Sequence, residues 1–302
     1  MLGLVTADVA APLDPDLVPF ATACAHRVGA DGVRIVSWDD PDVDWASFDS
    51  VIIRSTWDYT DRLDEFLAWV ERTSSVARLL NSPDAVRWSA DKRYLAELAT
   101  LGISIAPTTF VEPGQSPPVV EGVHVVKPTV GAGSSGARRC EADEVADHVA
   151  ALHREGRTAM VQPYLDLLDE RGESAYCYVP GVDGGLELSH VFRKGAILTT
   201  VDVEQEGDLF AKEDISDRRA EPAELVVADA VLDVVSRFDD VAFARIDIAP
   251  HRAADGTESF VVLEVELIEP SFYLHTAPGS AELFADRLLA RLARHLDSTS
   301  GR

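Results

Sequence analysis

The stretch 243–268, FARIDIAPHRAADGTESFVVLEVELI, constrains the fold more than any other: two apolar runs joined by a polar, Gly-containing segment, the pattern of a β-hairpin. Side chains alternate along a strand, so Arg245 and Asp247 share one face of the first run, and Glu264 and Glu266 share one face of the second. The opposite face carries Ala244, Ile246 and Ile248 with Val261, Leu263, Val265 and Leu267, which makes it a core face. Carboxylates at i and i+2 beside a third across the hairpin repel one another, and Arg245 is the one local compensation. A hard divalent cation offers the missing charge, because Mg²⁺ takes oxygen ligands and is commonly held by one or two carboxylates with substrate phosphates. A solvated acidic face explains the same pattern, so the rest of the chain must decide.

Residues 1–60 alternate strand and helix: strands at Leu2–Thr6, Val33–Val36 and Ser50–Arg54, with a helix from Pro15 to Val28. This rhythm predicts a small α/β layer with a mostly parallel sheet. No GxGxxG follows the first strand, so a dinucleotide-binding fold is not indicated. The third strand runs into Arg54-Ser55-Thr56-Trp57-Asp58-Tyr59, at the edge where open α/β sheets bind ligands. Capping of the next helix by Ser55, Thr56 or Asp58 is the competing reading. That helix, Asp61–Thr73, carries Leu63, Phe66, Leu67 and Val70 on one stripe. Asn81-Ser82-Pro83 starts another, and a third runs from Asp91 to Leu101 and is closed by Gly102. Lys92 in its first turn opposes the helix dipole; a ligand phosphate accounts for that placement, and so does an ordinary surface lysine.

A Pro-rich connection over 103–118 leads to a strand at Val123–Lys127. The segment from Thr129 to Arg139, TVGAGSSGARR, follows, and its glycines let the backbone turn and present N–H groups to an anion. The GxxxxGK[ST] order of a P-loop is absent, and a flexible hairpin loop is the alternative. An amphipathic helix spans Glu141–Gly156, and a strand over Ala159–Tyr164 should leave its ladder at Pro163. Acidic residues Asp166, Asp169, Glu170 and Glu173 precede an expected meander of Ser174–Val179, Leu186–Arg193 and Ala196–Thr200, with Arg193-Lys194-Gly195 as a turn. The polar segment Asp202–Glu221 reads as an exposed loop, Pro222–Phe238 and Ala281–Leu296 as helices, and Asp297–Arg302 as a frayed tail.

Charge narrows the partners. A net charge of −25 over 302 residues argues against nucleic acid and anionic membranes, and it makes the few cations near these motifs informative. No apolar run approaches a membrane span, and the N-terminus lacks the basic flank of a leader, so a cytoplasmic location is expected. Cys24, Cys140 and Cys177 have no metal-binding spacing and read as ordinary thiols.

Taken in order, Asp91-Lys92, Val126-Lys127-Pro128, the GSSG run at 133–136, Val161-Gln162-Pro163-Tyr164, Arg245-Ile246-Asp247 and Glu264-Val265-Glu266 resemble the ATP-grasp superfamily. The first 90 residues resemble the preceding domain of its glutathione-synthetase-like branch, and Glu264 to Pro270 is similar to the cycloserine-forming ligase group. The resemblance implies an α/β fold with α+β lobes. An N-terminal substrate domain (1–90) precedes a central lobe with the Gly/Ser-rich loop (91–160) and a C-terminal lobe with an antiparallel sheet and the MgATP site (161–302). It implies that Lys92 and Lys127 hold ATP phosphates and that Ser134, Ser135 and Gly136 lie in the loop above them. Adenine would lie at the backbone of Gln162, Pro163 and Tyr164, and ribose at one of Asp169, Glu170 and Glu173, between which the spacing does not choose. Arg193 and Arg245 would stabilise the transferring phosphoryl group, and Asp247, Glu264 and Glu266 would ligate Mg²⁺, two ions in all. Glu266 stands where the family usually has Asn, and Pro270 comes one residue late, with Glu269 in the gap facing substrate.

The implied reaction is a two-step ligation: a carboxylate takes the γ-phosphoryl group of ATP, and an amine displaces phosphate from the acyl phosphate. Positioning and charge neutralisation suffice for this, without a protein nucleophile. Arg54 is the expected carboxylate fork, with Ser55 and Thr56 beside it. The expected substrates are amino acids joined as a dipeptide or γ-glutamyl-type amide in natural-product biosynthesis, and a homodimer is compatible with this. The alternatives are cyclisation of one amino-acid derivative and a phosphotransferase or nucleotide-binding regulator on the same fold.

Overall fold

The computed structural model describes residues 1–196, 205–206, 210–211 and 214–300. In chain order its elements are β1 (Leu2–Thr6), α1 (Leu17–Val28), β2 (Val33–Ser37), β3 (Ser50–Ser55), α2 (Leu63–Ser74), β4 (Arg78–Leu80), α3 (Pro83–Ser89) and α4 (Tyr94–Thr100). There follow β5 (Thr109–Val111), β6 (His124–Pro128), β7 (Arg138–Cys140), α5 (Val145–Arg154), β8 (Ala159–Pro163), α6 (Leu168–Arg171), β9 (Glu173–Pro180) and β10 (Leu186–Lys194). The last are β11 (Gln205–Glu206), β12 (Phe210–Ala211), β13 (Ile215–Arg218), α7 (Pro222–Val235), β14 (Ala244–Arg252), β15 (Glu258–Glu266) and α8 (Ser280–Ser300).

The N-terminal layer is a parallel sheet in the order β2-β1-β3-β4. Strands β1 and β3 are buried along their whole length, which is why LGLVT and SVIIRS carry so little charge. Phe66, Trp69 and Val70 of α2 pack with Trp38 on one side of the sheet. Leu17 and Phe20 of α1 pack on the other, in a core that continues into Phe272, Phe284 and Leu288. A second sheet, β5-β8-β6-β7, is antiparallel and covered by α5. Its strand β8 straddles residue 160, so this sheet reaches Pro163 and passes the expected domain limit. The third sheet, β13-β10-β9-β14-β15, is antiparallel as expected of the C-terminal lobe, and Ala228, Val231 and Val235 of α7 pack against it.

The opening hairpin is β14–β15, with Arg245 opposite Glu266 and Asp247 opposite Glu264. Past that pair the register slips: Ile248 faces Val262, and Leu263 is the extra residue of a bulge. This corrects the expected core face. Ala244, Ile246, Ile248, Val265 and Leu267 do enter the core, but Val262 joins them, while Val261 and Leu263 pack with Ala106 and Leu165 in a separate cluster.

Other differences have simple causes. Strands β4, β5, β7 and β13 were not expected, because segments of three or four residues are too short to show a period. Strand β10 continues through Arg193 and Lys194, so these residues are not a turn. The expected strand at Ala196–Thr200 lies, from residue 197 onward, outside the described residues. Helix α4 begins at Tyr94, which leaves Lys92 before the helix and removes the dipole argument. Helix α8 runs through the expected frayed tail to Ser300. Ser82 is the N-cap residue of α3 but its side chain makes no capping bond. Asn81 instead crosses to the hairpin: its Nδ2 donates to Phe243 O (2.9 Å) and Leu267 O (2.7 Å), and its Oδ1 accepts from Ala242 N at 2.6 Å. Among the described residues, no helix is long and apolar enough to cross a membrane.

Candidate active site

A cleft of about 510 Å³ lies where the three sheets meet. Its roof is the β6–β7 connection, whose residues Gly131 to Ser135 line it. Gly133, Ser134 and Gly136 have φ of 57°, 62° and 72°, so the turn needs the left-handed region. A Cβ on Gly136 would also meet Arg157 Nη1 and Pro128 Cδ at 3.3 Å. Three side chains hold this loop by its carbonyls: Lys92 Nζ donates to Gly131 O (2.6 Å), Arg157 Nη2 to Val130 O (2.9 Å), and His148 Nε2 lies 2.9 Å from Gly136 O.

The floor is the charged face of the hairpin. One carboxylate oxygen each from Asp247, Glu264 and Glu266 can lie within 4.8 Å of the others. Arg245 donates to both oxygens of Asp247 at 2.9 Å, to Ser271 O at 2.9 Å, and to Glu266. Lys194 Nζ bridges Asp247 (2.7 Å) and Glu173. Lys92 pairs with Glu264 at 2.9 Å. Lys127 is also in the cleft and has no hydrogen bond or ion pair among the described residues.

These contacts set the protonation equilibria. Burial works against charge on Asp247, but Arg245 and Lys194 outweigh it and bring its pKa down to about 2. Glu264 is likewise lowered, with Lys92 and Lys127 overcoming burial. Burial wins at Glu266, which rises to about 7 despite Arg245, because Glu264 and Asp247 also press on it. Glu173 is raised by burial against the pull of Lys194. Burial lowers Lys127, while Glu264 holds Lys92 above the usual lysine value in spite of its burial. Three cations in contact with four carboxylates, and Lys127 beside them, thus leave the floor near neutrality, a balance a bound polyanion and divalent cations could replace.

At the far end the lining is apolar, with Ala106, Val125, Leu165, Leu168 and Leu263, and it ends at Gln162, Pro163 and Tyr164. Gln162 Nε2 donates to Thr108 Oγ1 at 2.7 Å, and the Tyr164 N–H is already bonded to Val123 O at 3.0 Å. The Tyr164 ring lies under Arg139 at 3.8 Å and its hydroxyl donates to Asp169. Glu173 sits with Lys194 and Asp247 at the charged end, away from the ribose place expected for it.

Two further expectations fail in position. The Arg193 side chain is not among those lining the cleft: its Nε donates to Arg171 O at 2.9 Å and its Nη1 faces Asp214 at 3.5 Å. Neighbours on a strand point to opposite faces, so extending β10 by one residue puts Lys194 in the cleft instead. Arg54, Ser55 and Thr56 are buried behind the cleft wall, at 1%, 0% and 0% exposure. The Arg54 guanidinium lies 5.5–5.8 Å from the rings of Phe20, Phe243, Phe272 and Phe284 and donates to Pro270 O at 3.3 Å. Ser55 Oγ pairs with Thr6 Oγ1 at 2.8 Å. From the same segment Trp57 and Tyr59 do line the cleft, and Trp57 Nε1 donates to Glu269 O at 3.1 Å. Aromatic side chains beside the expected polar ones were the available signal for them.

Comparison with known proteins agrees with this architecture. Residues 2–81 match the family model described as D-cycloserine synthetase DcsG, N-terminal domain. The cycloserine biosynthesis protein DcsG of Streptomyces lavendulae is 36% identical over 313 residues, covering 97% of this chain and 99% of that one. The crystal structure of D-cycloserine synthetase DcsG superposes with a TM-score of 0.81 at 35% identity, over 96% of this chain and 99% of that one. D-alanyl-alanine synthetase A from Vibrio cholerae (TM-score 0.64, 15% identity, 97% of each chain) shares the fold. So does the ATP-grasp ligase PsnB complexed with minimal precursor (TM-score 0.58, 17% identity, 96% of this chain and 98% of that one). With a relative this similar over nearly its whole length, the chain belongs to the DcsG family of synthetases, and it shares the fold of the ATP-grasp ligases.

Proposed function

We propose that this ligase closes a ring: it activates the carboxylate of one amino-acid derivative with MgATP and joins it to an amine of the same molecule. The observation that carries the chemistry is the meeting of Lys92, Lys127 and Arg245 with Asp247, Glu264 and Glu266 in one cleft. The one-substrate form is supported by the 36%-identical relative, whose name places it in cycloserine biosynthesis.

In the first step a carboxylate oxygen of the substrate attacks the γ-phosphorus, and the bond from that phosphorus to the bridging oxygen breaks, giving an acyl phosphate and ADP. In the second the amine lone pair attacks the acyl carbon, the C–O bond to phosphate breaks, and the nitrogen loses a proton. Phosphate is a far better leaving group than oxide, which is what the ATP accomplishes. Lys127, half-buried and without a hydrogen bond or ion pair among the described residues, and Lys92 are the cations we assign to the phosphates, with Arg245 beside the transferring group. The 131–135 turn covers them and excludes water. Adenine belongs against the apolar lining near Gln162 to Tyr164.

Asp247, Glu264 and Glu266 fit magnesium: they are hard oxygen donors that gather within 4.8 Å, and Glu266, raised by burial and further by Glu264 and Asp247, would gain from a cation there. When bound, the metal supplies charge neutralisation for the phosphates. We read this donor set as one for two ions. The same reading takes residues 1–90 as the substrate domain, places the enzyme in the cytoplasm, and allows a homodimer.

The test is ADP release with amino acids and their derivatives supplied singly and in pairs, followed by product mass. Ring closure predicts release with a single substrate and a product lighter by one water. A strict requirement for two substrates, with a dipeptide mass, would refute it.

A further inference from the structure

Each carboxylate at the charged end of the cleft has a cation in contact, with one exception. Glu173 and Asp247 have Lys194, Asp247 and Glu266 have Arg245, and Glu264 has Lys92. Glu269 is 7% exposed, lines the same cleft, and makes no ion pair among the described residues. Lys92, whose charge reaches it, is bonded to Glu264 and to Gly131 O. The Tyr59 hydroxyl lies near the Glu269 carboxyl and favours its ionised form. Burial, with Glu266 and Glu264 nearby, acts the other way and pushes Glu269 up to about 8.

A buried carboxylate with a hydroxyl and no cation is a costly arrangement unless something charged arrives to complete it. Magnesium is a poor fit, since Glu269 is outside the group of carboxylates whose oxygens converge. The surroundings suit an organic cation better. Trp57 and Tyr59 line this part of the cleft, and an ammonium gains from aromatic faces as well as from a carboxylate. The backbone carbonyl of Glu269 is fixed by Trp57 Nε1, and the next carbonyl, of Pro270, by Arg54. The carboxyl group is therefore delivered to the cleft by contacts that leave the group itself unused.

Resting on the ligase reading above, we propose that Glu269, supported by Tyr59, is the binding site for the ammonium group of the amino-acid substrate, and that it restricts the enzyme to substrates carrying a primary amine. The site belongs to the non-nucleotide end of the reaction and explains why a glutamate stands just before Pro270. Arg54, the residue expected from the sequence to bind substrate, acts from behind the wall by holding the segment that carries Glu269.

The test is equilibrium binding, by calorimetry, of a panel of amino acids and their deaminated analogues to the full-length protein with Mg²⁺ and a non-hydrolysable ATP analogue. In the wild type at least one amino acid should bind about tenfold or more tighter than its deaminated analogue. Glu269→Gln, which keeps the shape and removes the charge, should weaken that amino acid about 10- to 100-fold and abolish the difference, with nucleotide affinity retained. Tyr59→Phe should weaken it by a smaller factor. Equal affinities for amine and deaminated analogue in the wild type, a preference that survives in Glu269→Gln, or no binding by any amine in the panel would overturn the proposal. ADP release is read separately. Amine selectivity without turnover would leave the subsite standing and sink the ligase reading; turnover indifferent to Glu269→Gln would do the reverse.

Discussion

Two arginines at strand positions, Arg245 on β14 and Arg54 at the end of β3, are both buried and have opposite surroundings. Arg245 is 6% exposed and has a full set of acceptors: both oxygens of Asp247, Ser271 O and Glu266. Arg54 is 1% exposed, has one carbonyl at 3.3 Å, and is otherwise enclosed by four phenylalanine rings. Its Nε and Nη1 make no hydrogen bond among the described residues, while the neighbouring Asp14, raised by burial, feels its charge. The partners of Arg245 come from its own hairpin and the segment after it. Those of Arg54 come from residues 20, 243, 270, 272 and 284. A charge surrounded by local partners can be read from the sequence, and a charge surrounded by distant ones cannot.

The sharpest break of this comparison would come at the hairpin itself. Glu264→Gln and Lys127→Ala should each reduce substrate-dependent ADP release by about 10²-fold or more while circular dichroism remains native, since each removes charge from the centre of the site. Unchanged rates in both would remove the active-site assignment.

Next is the contrast between the two arginines. Arg245→Met leaves Asp247 and Glu266 short of a cation and should lower kcat about 10²-fold. Arg54→Met should act mainly on stability, with a loss on the order of 1–3 kcal/mol by chemical denaturation and a much smaller change in kcat. Equal kcat losses would restore Arg54 to the reaction.

A third test uses pH on nucleotide-free, metal-free protein. Glu269 and Glu266 are raised by burial to about 8 and about 7, from an ordinary value of 4.5. In the folded state they keep protons that the unfolded chain has released, so their contribution is fully present below about 4.5 and is lost as pH rises through 7 and 8. Wild-type stability relative to Glu269→Gln should therefore fall between pH 6 and 8.5, by an amount on the order of a few kcal/mol. A constant difference between the two proteins across that range would show that the carboxyl is not perturbed. Asp247 works in the opposite window: its stabilisation is lost as pH falls toward 2.

The smallest effect is expected at Arg193. Its side chain faces Arg171 O and Asp214 outside the cleft, so Arg193→Ala should change kcat less than about twofold and stability by roughly 0.5 kcal/mol. Lys194→Met, one residue on, removes the bridge between Glu173 and Asp247 and should cost far more activity. Reversal of that order would restore the sequence-based choice of Arg193.

Much of the candidate site was legible because strand alternation is a local rule. Arg245, Asp247, Glu264 and Glu266 fall on one face whatever the rest of the chain does, and the observed register pairs them as the pattern requires. The same rule failed beyond Glu264, where the bulge at Leu263 exchanged Val262 for Val261 and Leu263 in the core. At Lys194 the miss came from the resemblance, which implied Arg193; the strand runs one residue further than expected and Lys194 lines the cleft. The order of motifs along the chain was enough for the family and fold, because each motif is a short, self-contained piece of backbone chemistry.

The sequence alone determined the acidic hairpin, the lysines that precede it, the flexible Gly/Ser turn and hence the class of reaction. Only the tertiary structure decided that Arg54 is enclosed by phenylalanines, that Asn81 ties the first layer to the hairpin, and that Glu269 is left in the cleft without an ion pair among the described residues. The physical reason is desolvation: how much a charge costs depends on what the whole fold brings around it, and those neighbours are tens to hundreds of residues away.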